Sequence, residues 1–360
     1  MNTPLVGAII LVACTVPHFL SGADAIRPLR VVNVESPESR VDEDDSQDEP
    51  QWVILHRQGL SVLGVESGMR TDVSEFSRQY SGSHSSRYLT PSGKIFAYAL
   101  TRKQLTVARV SDGKTIVQAN ANELVGHLNW PTQSFLSNDG SHLFTLATHN
   151  RRKLIRVDLL PTPRVTATQE IKGGRKDAFT MFASADDPSL IVVSSTGGPG
   201  MFRVFDEELN LRYSKKLPQP LGPNAVSNRQ DPLILLMPVL GSRWQLIRET
   251  SDQYTLLSSA KQWRPTGLDT SIHSAAISPD GKYVVTGPVH LTPTISLWNA
   301  ADGSLLREVQ LLGGTGRLPS DHTIKRLAFS KSGRYLTAGN VRNAFLLDFQ
   351  QLVTADDSSQ

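Results

Sequence analysis

Hydrophobic and polar residues alternate along this chain in short runs, and tight-turn sequences separate the runs. The clearest example spans residues 272–285, where two alternating runs flank the segment Ser278-Pro279-Asp280-Gly281. Proline fixes φ in such a segment, and aspartate and glycine tolerate the remaining turn conformations. This pattern therefore predicts a strand, a tight turn and a second strand.

The turn sequence recurs along the chain. Similar segments lie at residues 90–93, 137–140, 186–188, 231–232 and 330–333, and the ends of successive segments are 44 to 52 residues apart. A second marker follows each of five turns at a nearly constant distance, an apolar residue and then an acidic or polar one. The five pairs are Val110-Ser111, Val157-Asp158, Phe205-Asp206, Trp298-Asn299 and Leu347-Asp348. A period near fifty residues that holds four short strands is typical of propeller blades.

The unit at residues 277–306 resembles a blade of the WD40-like propellers, including their degenerate WD40 and YVTN-type members. It combines the Ser-Pro-Asp-Gly turn with a strand ending in Ile-Ser-Leu-Trp-Asn and a later Asp-Gly pair. Gly126-His127 also lies about where that family has a Gly-His pair. The resemblance implies an all-β, seven-bladed β-propeller of four-stranded antiparallel blades. It also implies a His–Asp–Ser–Trp hydrogen-bond network, for which the sequence alone identifies no complete set.

The first blade allows two interpretations. Residues 52–55, 60–63 and 73–76 predict three of its strands, and residues 29–34 are the candidate for its inner strand. The alternative is that residues 29–34 close the ring as the outer strand of the last blade, which lacks a fourth strand after Phe349. We favour the first interpretation, because losing an outer strand leaves less of the core unpaired. Both interpretations give seven blades.

Composition and charge indicate a globular protein and give no sign of a nucleic-acid-binding protein. The chain has 360 residues, of which 39% are hydrophobic and 20% charged, as expected for a globular protein with a sizeable core. The net charge of +3 is too small to predict a nucleic-acid partner. Acidic side chains concentrate at residues 42–49, which predicts a solvated acidic loop. We expect one domain at residues 26–354, a polar tail at 355–360, and a monomer.

The N-terminus has the pattern of a targeting segment. Residues 5–16 are almost all apolar, and Ala23-Asp24-Ala25 is a small-x-small cleavage pattern. This predicts a signal peptide at residues 1–25, export to the periplasm, cell envelope or exterior, and no membrane span in the mature chain. Two alternatives are an uncleaved anchor and lipidation of Cys14, since Leu11-Val12-Ala13-Cys14 resembles a bacterial lipobox. Cys14 is the single cysteine, so a mature chain starting at Ile26 has no disulfide.

No motif for catalysis, cofactor binding or metal binding is present. The nine histidines include no His-x-His and no His-Glu-x-x-His, and no Gly-x-Ser-x-Gly occurs. The Gly-rich segment at 196–200 lacks the Gly-Lys-Ser/Thr ending of a phosphate loop. The alternative to a non-enzymatic protein is a channel-centred, metal-dependent hydrolase or lactonase. Its candidate residues are Asp177, Asn224, His273 and His322, near the starts of inner strands.

A set of basic residues is predicted to share one face. In a propeller, the turns that join second and third strands all emerge on the same side. Here most of these turns contain arginine or histidine, namely Arg57, Arg102, Arg151, Arg152, Arg243, His290 and Arg342. Such a ring would focus a positive potential on an acidic protein segment or other anionic ligand, although turns are often basic for solubility alone. The sequence thus favours a binding scaffold.

Overall fold

The computed structural model describes residues 24–34, 38–43, 48–56, 59–73, 86–89, 96–100, 104–110, 114–125, 131–137, 139–147, 153–171, 179–183, 190–194, 201–216, 226–227, 233–236, 245–250, 253–259, 272–288, 292–313 and 319–354. None of the helices in these ranges is both long and apolar enough to cross a membrane.

The first half of the described chain consists of short strands in consecutive sheets. It starts with β1 (Asp24–Ile26) and β2 (Arg30–Asn33). Sheet 1 contains β3 (Glu38–Asp42), β4 (Gln51–His56), β5 (Gly59–Gly64) and β6 (Arg70–Val73). Sheet 2 contains β7 (Ser86–Leu89), β8 (Phe96–Leu100), β9 (Gln104–Arg109) and β10 (Thr115–Asn120), followed by α1 (Ala121–Val125). Sheet 3 contains β11 (Pro131–Leu136), β12 (His142–Ala147), β13 (Lys153–Asp158) and β14 (Arg164–Glu170).

The second half continues the same arrangement. Sheet 4 contains β15 (Phe179–Ala183), β16 (Leu190–Ser194), β17 (Met201–Phe205) and β18 (Leu211–Lys216). Sheet 5 contains β19 (Val226–Ser227), β20 (Leu233–Leu236), β21 (Gln245–Thr250) and β22 (Gln253–Ser259). Sheet 6 contains β23 (Ile272–Ile277), β24 (Tyr283–Pro288), β25 (Thr294–Asn299) and β26 (Leu305–Leu311), followed by α2 (Pro319–His322). Sheet 7 contains β27 (Arg326–Phe329), β28 (Tyr335–Gly339) and β29 (Asn343–Asp348), followed by α3 (Phe349–Thr354).

The sheets are arranged around a common centre. Within each sheet, successive strands are antiparallel neighbours, and across the described residues there are seven such sheets. The first strands of successive sheets contact one another in the order β3, β7, β11, β15, β19, β23 and β27, and β27 contacts β3 again. These first strands are therefore the inner strands of a closed ring. Radial sheets that surround a channel in this way define a β-propeller, as the sequence predicts.

Residues 29–34 close the ring rather than begin it. Strand β2 pairs antiparallel with β29, with Arg30 opposite Leu346 and Asn33 opposite Asn343. The inner strand of sheet 1 is instead β3, so the favoured sequence interpretation was wrong and its alternative is correct. Sheet 7 turns into α3 after its third strand, which leaves an open edge that β2 covers.

The N-terminal strap, residues 24–34, also covers the neighbouring sheet. Strand β1 pairs parallel with β26, with Ile26 opposite Leu311, and makes sheet 6 five-stranded. The Ile26 side chain is buried, and its carbonyl accepts a 3.0 Å hydrogen bond from the Leu312 N–H. The cleavage site expected after Ala25 therefore falls inside β1.

Apolar side chains pack one sheet on the next. Trp52 and Val41 of sheet 1 share a buried cluster with Tyr335 and Leu346 of sheet 7. The rings of Tyr283 in sheet 6 and Phe349 in α3 meet edge to face, with centroids 5.5 Å apart. Burial of this kind is the main favourable contribution to folding.

The recurring turn has the structure that its sequence predicts. The Ser278 hydroxyl donates to Asp280 Oδ1 (2.6 Å) and accepts from the Tyr283 N–H (3.0 Å), while Gly281 has a φ of 71°. The Lys282 N–H also donates to Asp280 Oδ1, at 3.1 Å. Glycine favours this left-handed conformation because it lacks a Cβ.

Candidate functional site

Because successive strands in each sheet run in opposite directions, the connections between strands lie on two opposite faces of the propeller. Face A carries the turns from inner to second strand and from third to outer strand. Face B carries the turns from second to third strand and the connections between sheets. The acidic run at residues 42–49 lies in an inner-to-second connection on face A, between β3 and β4. Face B is the side on which the sequence predicts the basic ring.

Arg342 is the member of the predicted basic ring that the structure describes. It lies in the turn between β28 and β29, and its Nε donates to Asp321 Oδ2 of α2 at 3.0 Å. The Asp321 side chain is 8% exposed and the Arg342 side chain 50% exposed, so one edge of the guanidinium is anchored and the rest faces solvent. The other candidates, Arg57, Arg102, Arg151, Arg152, Arg243 and His290, lie outside the described residues.

On face A, the start of the acidic run binds sheet 7. The Glu43 carboxylate accepts hydrogen bonds from the Ser332 N–H (2.7 Å) and the Ser332 hydroxyl (2.6 Å). Ser332 occupies the turn position that Asp280 takes in sheet 6. The Ser332 hydroxyl accepts from the Arg334 N–H at 3.1 Å, as Asp280 does from Lys282, and its bond to Glu43 links sheet 7 to sheet 1.

The end of the acidic run is bound as well. Glu49 accepts from the N–H groups of Glu66 (2.6 Å) and Ser67 (2.9 Å) and from the Ser67 hydroxyl. The bonds from Ser67 are the main reason that the pKa of Glu49 lies below its ordinary value. Arg30 of β2 fixes the same turn by donating to the Val65 and Glu66 carbonyls, at 3.0 and 2.7 Å. The acidic run is therefore anchored at both ends.

A His–Ser–Asp cluster in sheet 1 contains the residue types of a hydrolase triad, but not its connectivity. The Ser61 hydroxyl donates to Asp72 Oδ1 at 2.6 Å, and His56 Nε2 lies 3.0 Å from the same hydroxyl oxygen. Serine thus sits between the other two residues, and its proton is committed to the carboxylate rather than to a base. Ser61 is also fully buried. The bond from Ser61 lowers the pKa of Asp72, and the cluster acts as a link across β4, β5 and β6.

Part of the hydrogen-bond network that the family resemblance implies is present in sheet 6. The Trp298 indole N–H donates to the Thr286 hydroxyl at 2.9 Å, with both side chains buried. Threonine takes the place of the family's serine. The sequence pattern does not reveal this pair, because Trp298 precedes asparagine instead of aspartate.

An ionic link joins sheets 3 and 4. His142 Nδ1 lies 2.9 Å from Asp158 Oδ1, and its Nε2 lies 3.2 Å from Glu207 Oε1 in the turn before β18. Arg156 Nε donates to Asp158 at 2.9 Å. Burial raises the pKa of Asp158, but hydrogen bonds from Arg156, Thr166 and His142 outweigh it and hold the pKa below its ordinary value.

Two arginines lie on neighbouring inner strands, Arg40 on β3 and Arg326 on β27. Arg40 of β3 is 18% exposed, and its Nη2 lies 3.3 Å from Glu38 Oε1. Its Nη1 donates to the Ser39 carbonyl at 2.8 Å. Burial lowers the pKa of Arg40, Glu38 raises it, and the positive charge of Arg326 on β27 lowers it further. The sequence pattern did not mark Arg40, because residues 29–34 were the candidate for the inner strand of the first blade.

The residues of the alternative hydrolase do not form a site in the part that is described. His273 lies on β23 and His322 ends α2, whereas Asp177 and Asn224 are outside the described ranges. Within those ranges, no three His, Cys, Asp or Glu side chains are grouped to hold a metal ion.

Comparison with known proteins identifies the fold. No family model matches the sequence, and no curated protein does. Among solved structures, the chain is similar to one in a structure of the mitotic checkpoint complex, with 12% identity, 97% of this chain and 99% of that chain covered, and a TM-score of 0.61. It is similar to the β-propeller domain of Cps50 (Swd1) from Myceliophteria thermophila, with 12% identity, coverage of 88% and 99%, and a TM-score of 0.60. U3-55K matches with 15% identity, coverage of 91% and 100%, and a TM-score of 0.59.

These similarities confirm the all-β propeller and its resemblance to WD40 structures. At 12 to 15% identity they define the fold and no function.

Proposed function

We propose that this protein is an exported, non-enzymatic scaffold whose face B binds an anionic partner such as an acidic protein segment. The proposal rests on the ion pair and the exposure of Arg342. Its guanidinium is anchored by the buried Asp321 while half of the side chain remains exposed. An arginine held in one orientation loses less entropy on binding than a flexible lysine does.

The fold supports a binding role. A propeller holds many loops on a rigid frame, and recognition residues are commonly found on such loops. In the His56–Ser61–Asp72 cluster, the group closest to a catalytic set in the described chain, Ser61 is fully buried and cannot present a nucleophile to a substrate.

Export is supported by the apolar run at residues 5–16 and the small-x-small pattern that ends at Ala25. A mature chain that begins at Ile26 would keep the buried Ile26 side chain and the whole of β2. Removal of residues 1–25 would therefore take away two of the three residues of β1 and leave the rest of the strap in place.

The direct test is binding of a fluorescent polyglutamate peptide to a variant in which Arg102, Arg152, Arg243 and Arg342 are changed to Glu. We expect affinity to fall by about tenfold or more at low ionic strength, since charge complementarity is lost and replaced by repulsion. The matched control changes Arg164, Lys282, Lys331 and Arg334 to Glu, because these exposed residues lie on face A and give the same change in net charge.

An equal loss in both variants would show a nonspecific effect of net charge and contradict the proposal. Wild-type protein that does not bind the peptide would contradict it as well.

A further inference from the structure

We propose that folding of the N-terminal strap protects the bond between Ala25 and Ile26, so that a peptidase removes residues 1–25 only before the strap docks. Cleavage after Ala25 belongs to the function proposed above, on which this step rests. A chain that folds first keeps residues 1–25. The order of cleavage and folding thus decides between a released protein and one that retains the apolar run at residues 5–16.

The backbone beside this bond is already paired in the folded chain. Strand β1 runs parallel to β26, with Ile26 opposite Leu311. The Ile26 carbonyl accepts a 3.0 Å hydrogen bond from the Leu312 N–H. Proteases cleave segments that are exposed and locally open. The bond after Ala25 therefore has to leave the sheet before it can be cleaved.

The Ile26 side chain opposes this opening. It is 9% exposed and belongs to the core cluster shared by sheets 6 and 7, together with Val309 and Leu311 of β26 and Leu327 of β27. Detachment of β1 would expose this side chain to water, which is unfavourable. The bond thus lies inside a packed element rather than in an exposed loop, where chains are most easily cleaved.

The chain that follows the bond is anchored as well. Strand β2 pairs with β29, and the Val34 N–H donates to the Arg342 carbonyl at 2.9 Å. Arg30 Nε donates to the Val65 carbonyl at 3.0 Å. These contacts tie the strap to sheets 7 and 1, so the strap cannot swing away as a unit without opening the ring.

The test uses the full chain and purified signal peptidase in detergent micelles. The chain is diluted out of urea, and peptidase is added either at the start of refolding or after refolding is complete. We expect cleavage after Ala25 to be slower by about tenfold or more on late addition, because burial of one isoleucine side chain already disfavours the open form by such a factor. Mass spectrometry of the products gives the position and the amount of cleavage.

Three variants show which contacts protect the bond. Leu311→Ala removes buried side-chain atoms opposite Ile26 and should speed cleavage of the refolded chain. Leu305→Ala is the matched control and should leave the rate unchanged, since Leu305 is an exposed residue of β26 outside the pairing with β1. Leu336→Ala, at a buried leucine of β28 in the same cluster, measures general destabilisation and should speed cleavage less than Leu311→Ala does.

Equal rates on early and late addition would overturn the proposal, and this comparison needs no variant to fold. Equal rates for Leu311→Ala and Leu336→Ala would overturn the protective role of the pairing between β1 and β26. If cleavage is absent even on early addition, the cleaved signal of the proposed function is contradicted and the protection of its bond falls with it. The two proposals therefore fail by different results.

Discussion

At the residue scale, hydrogen bonds to carboxylates hold turns and neighbouring strands together and set the response to acid. Asp72, Asp139, Asp158 and Asp280 all have pKa values below the ordinary range. An acid whose pKa is lower in the folded state binds fewer protons there than when unfolded. Its contribution to stability is therefore present above the unfolded pKa of about 3.9 and is lost as the pH falls through the folded value.

Asp158 allows the clearest test of this effect, because His142, Arg156 and Thr166 all contact its Oδ1. We expect Asp158→Asn to be less stable than wild type at pH 7, and the difference to shrink as the pH falls below about 4. Urea unfolding at a series of pH values measures both quantities. Asp48→Asn, at an exposed residue between β3 and β4, is a suitable comparison outside this link. A difference that stays constant down to low pH would contradict the assigned role of the Asp158 carboxylate.

The sequence predicts local contacts at this scale but not distant ones. The Ser278–Asp280–Gly281 turn follows from four adjacent residues, because proline, aspartate and glycine restrict its conformation directly. The contact of Glu43 with Ser332 joins residues 289 positions apart. No local pattern specifies such a contact, since it depends on ring closure.

At the element scale, the sequence does not decide whether the strand in the N-terminal strap is the inner strand of the first blade or the outer strand of the last. Residues 29–34 alternate as a strand should, and this pattern is equally compatible with an inner strand and an outer one. Residues 30–33 pair with β29 because sheet 7 would otherwise have an open edge there. The inner position of sheet 1 is already filled by β3, which pairs along its whole length with β4. Edge strands need a partner or a cover, and the strap provides one.

The strap leads to a prediction on truncation. A chain that starts at Ile26 should fold with nearly the stability of the full chain, because it keeps β2 and the buried Ile26. A chain that starts at Glu35 should aggregate or unfold at much lower denaturant, since the edge of sheet 7 is then uncovered. Denaturant midpoints of the two proteins compare them directly. Equal midpoints would contradict closure of the ring by β2.

At the scale of the whole molecule, the repeat was sufficient to predict the propeller and the two faces. Turn spacing and the second marker are local signals, and the up-and-down strand order assigns every turn to a side. The position of Arg40 was not predictable, because it becomes an inner-strand residue only when β3 is recognised as a strand. The alternation of Glu38, Arg40 and Asp42 with smaller or apolar residues is the signal that could have revealed this strand.

The central claim is that face B is the binding surface. The most direct measurement is hydrogen–deuterium exchange with and without bound polyglutamate peptide, at low ionic strength. We predict slower exchange in the turn at residues 340–343 and in the other turns between second and third strands. Exchange in the face A turns at 278–283 and 330–335 should not change. Protection confined to face A, or no protection on either face with the peptide bound, would contradict the account.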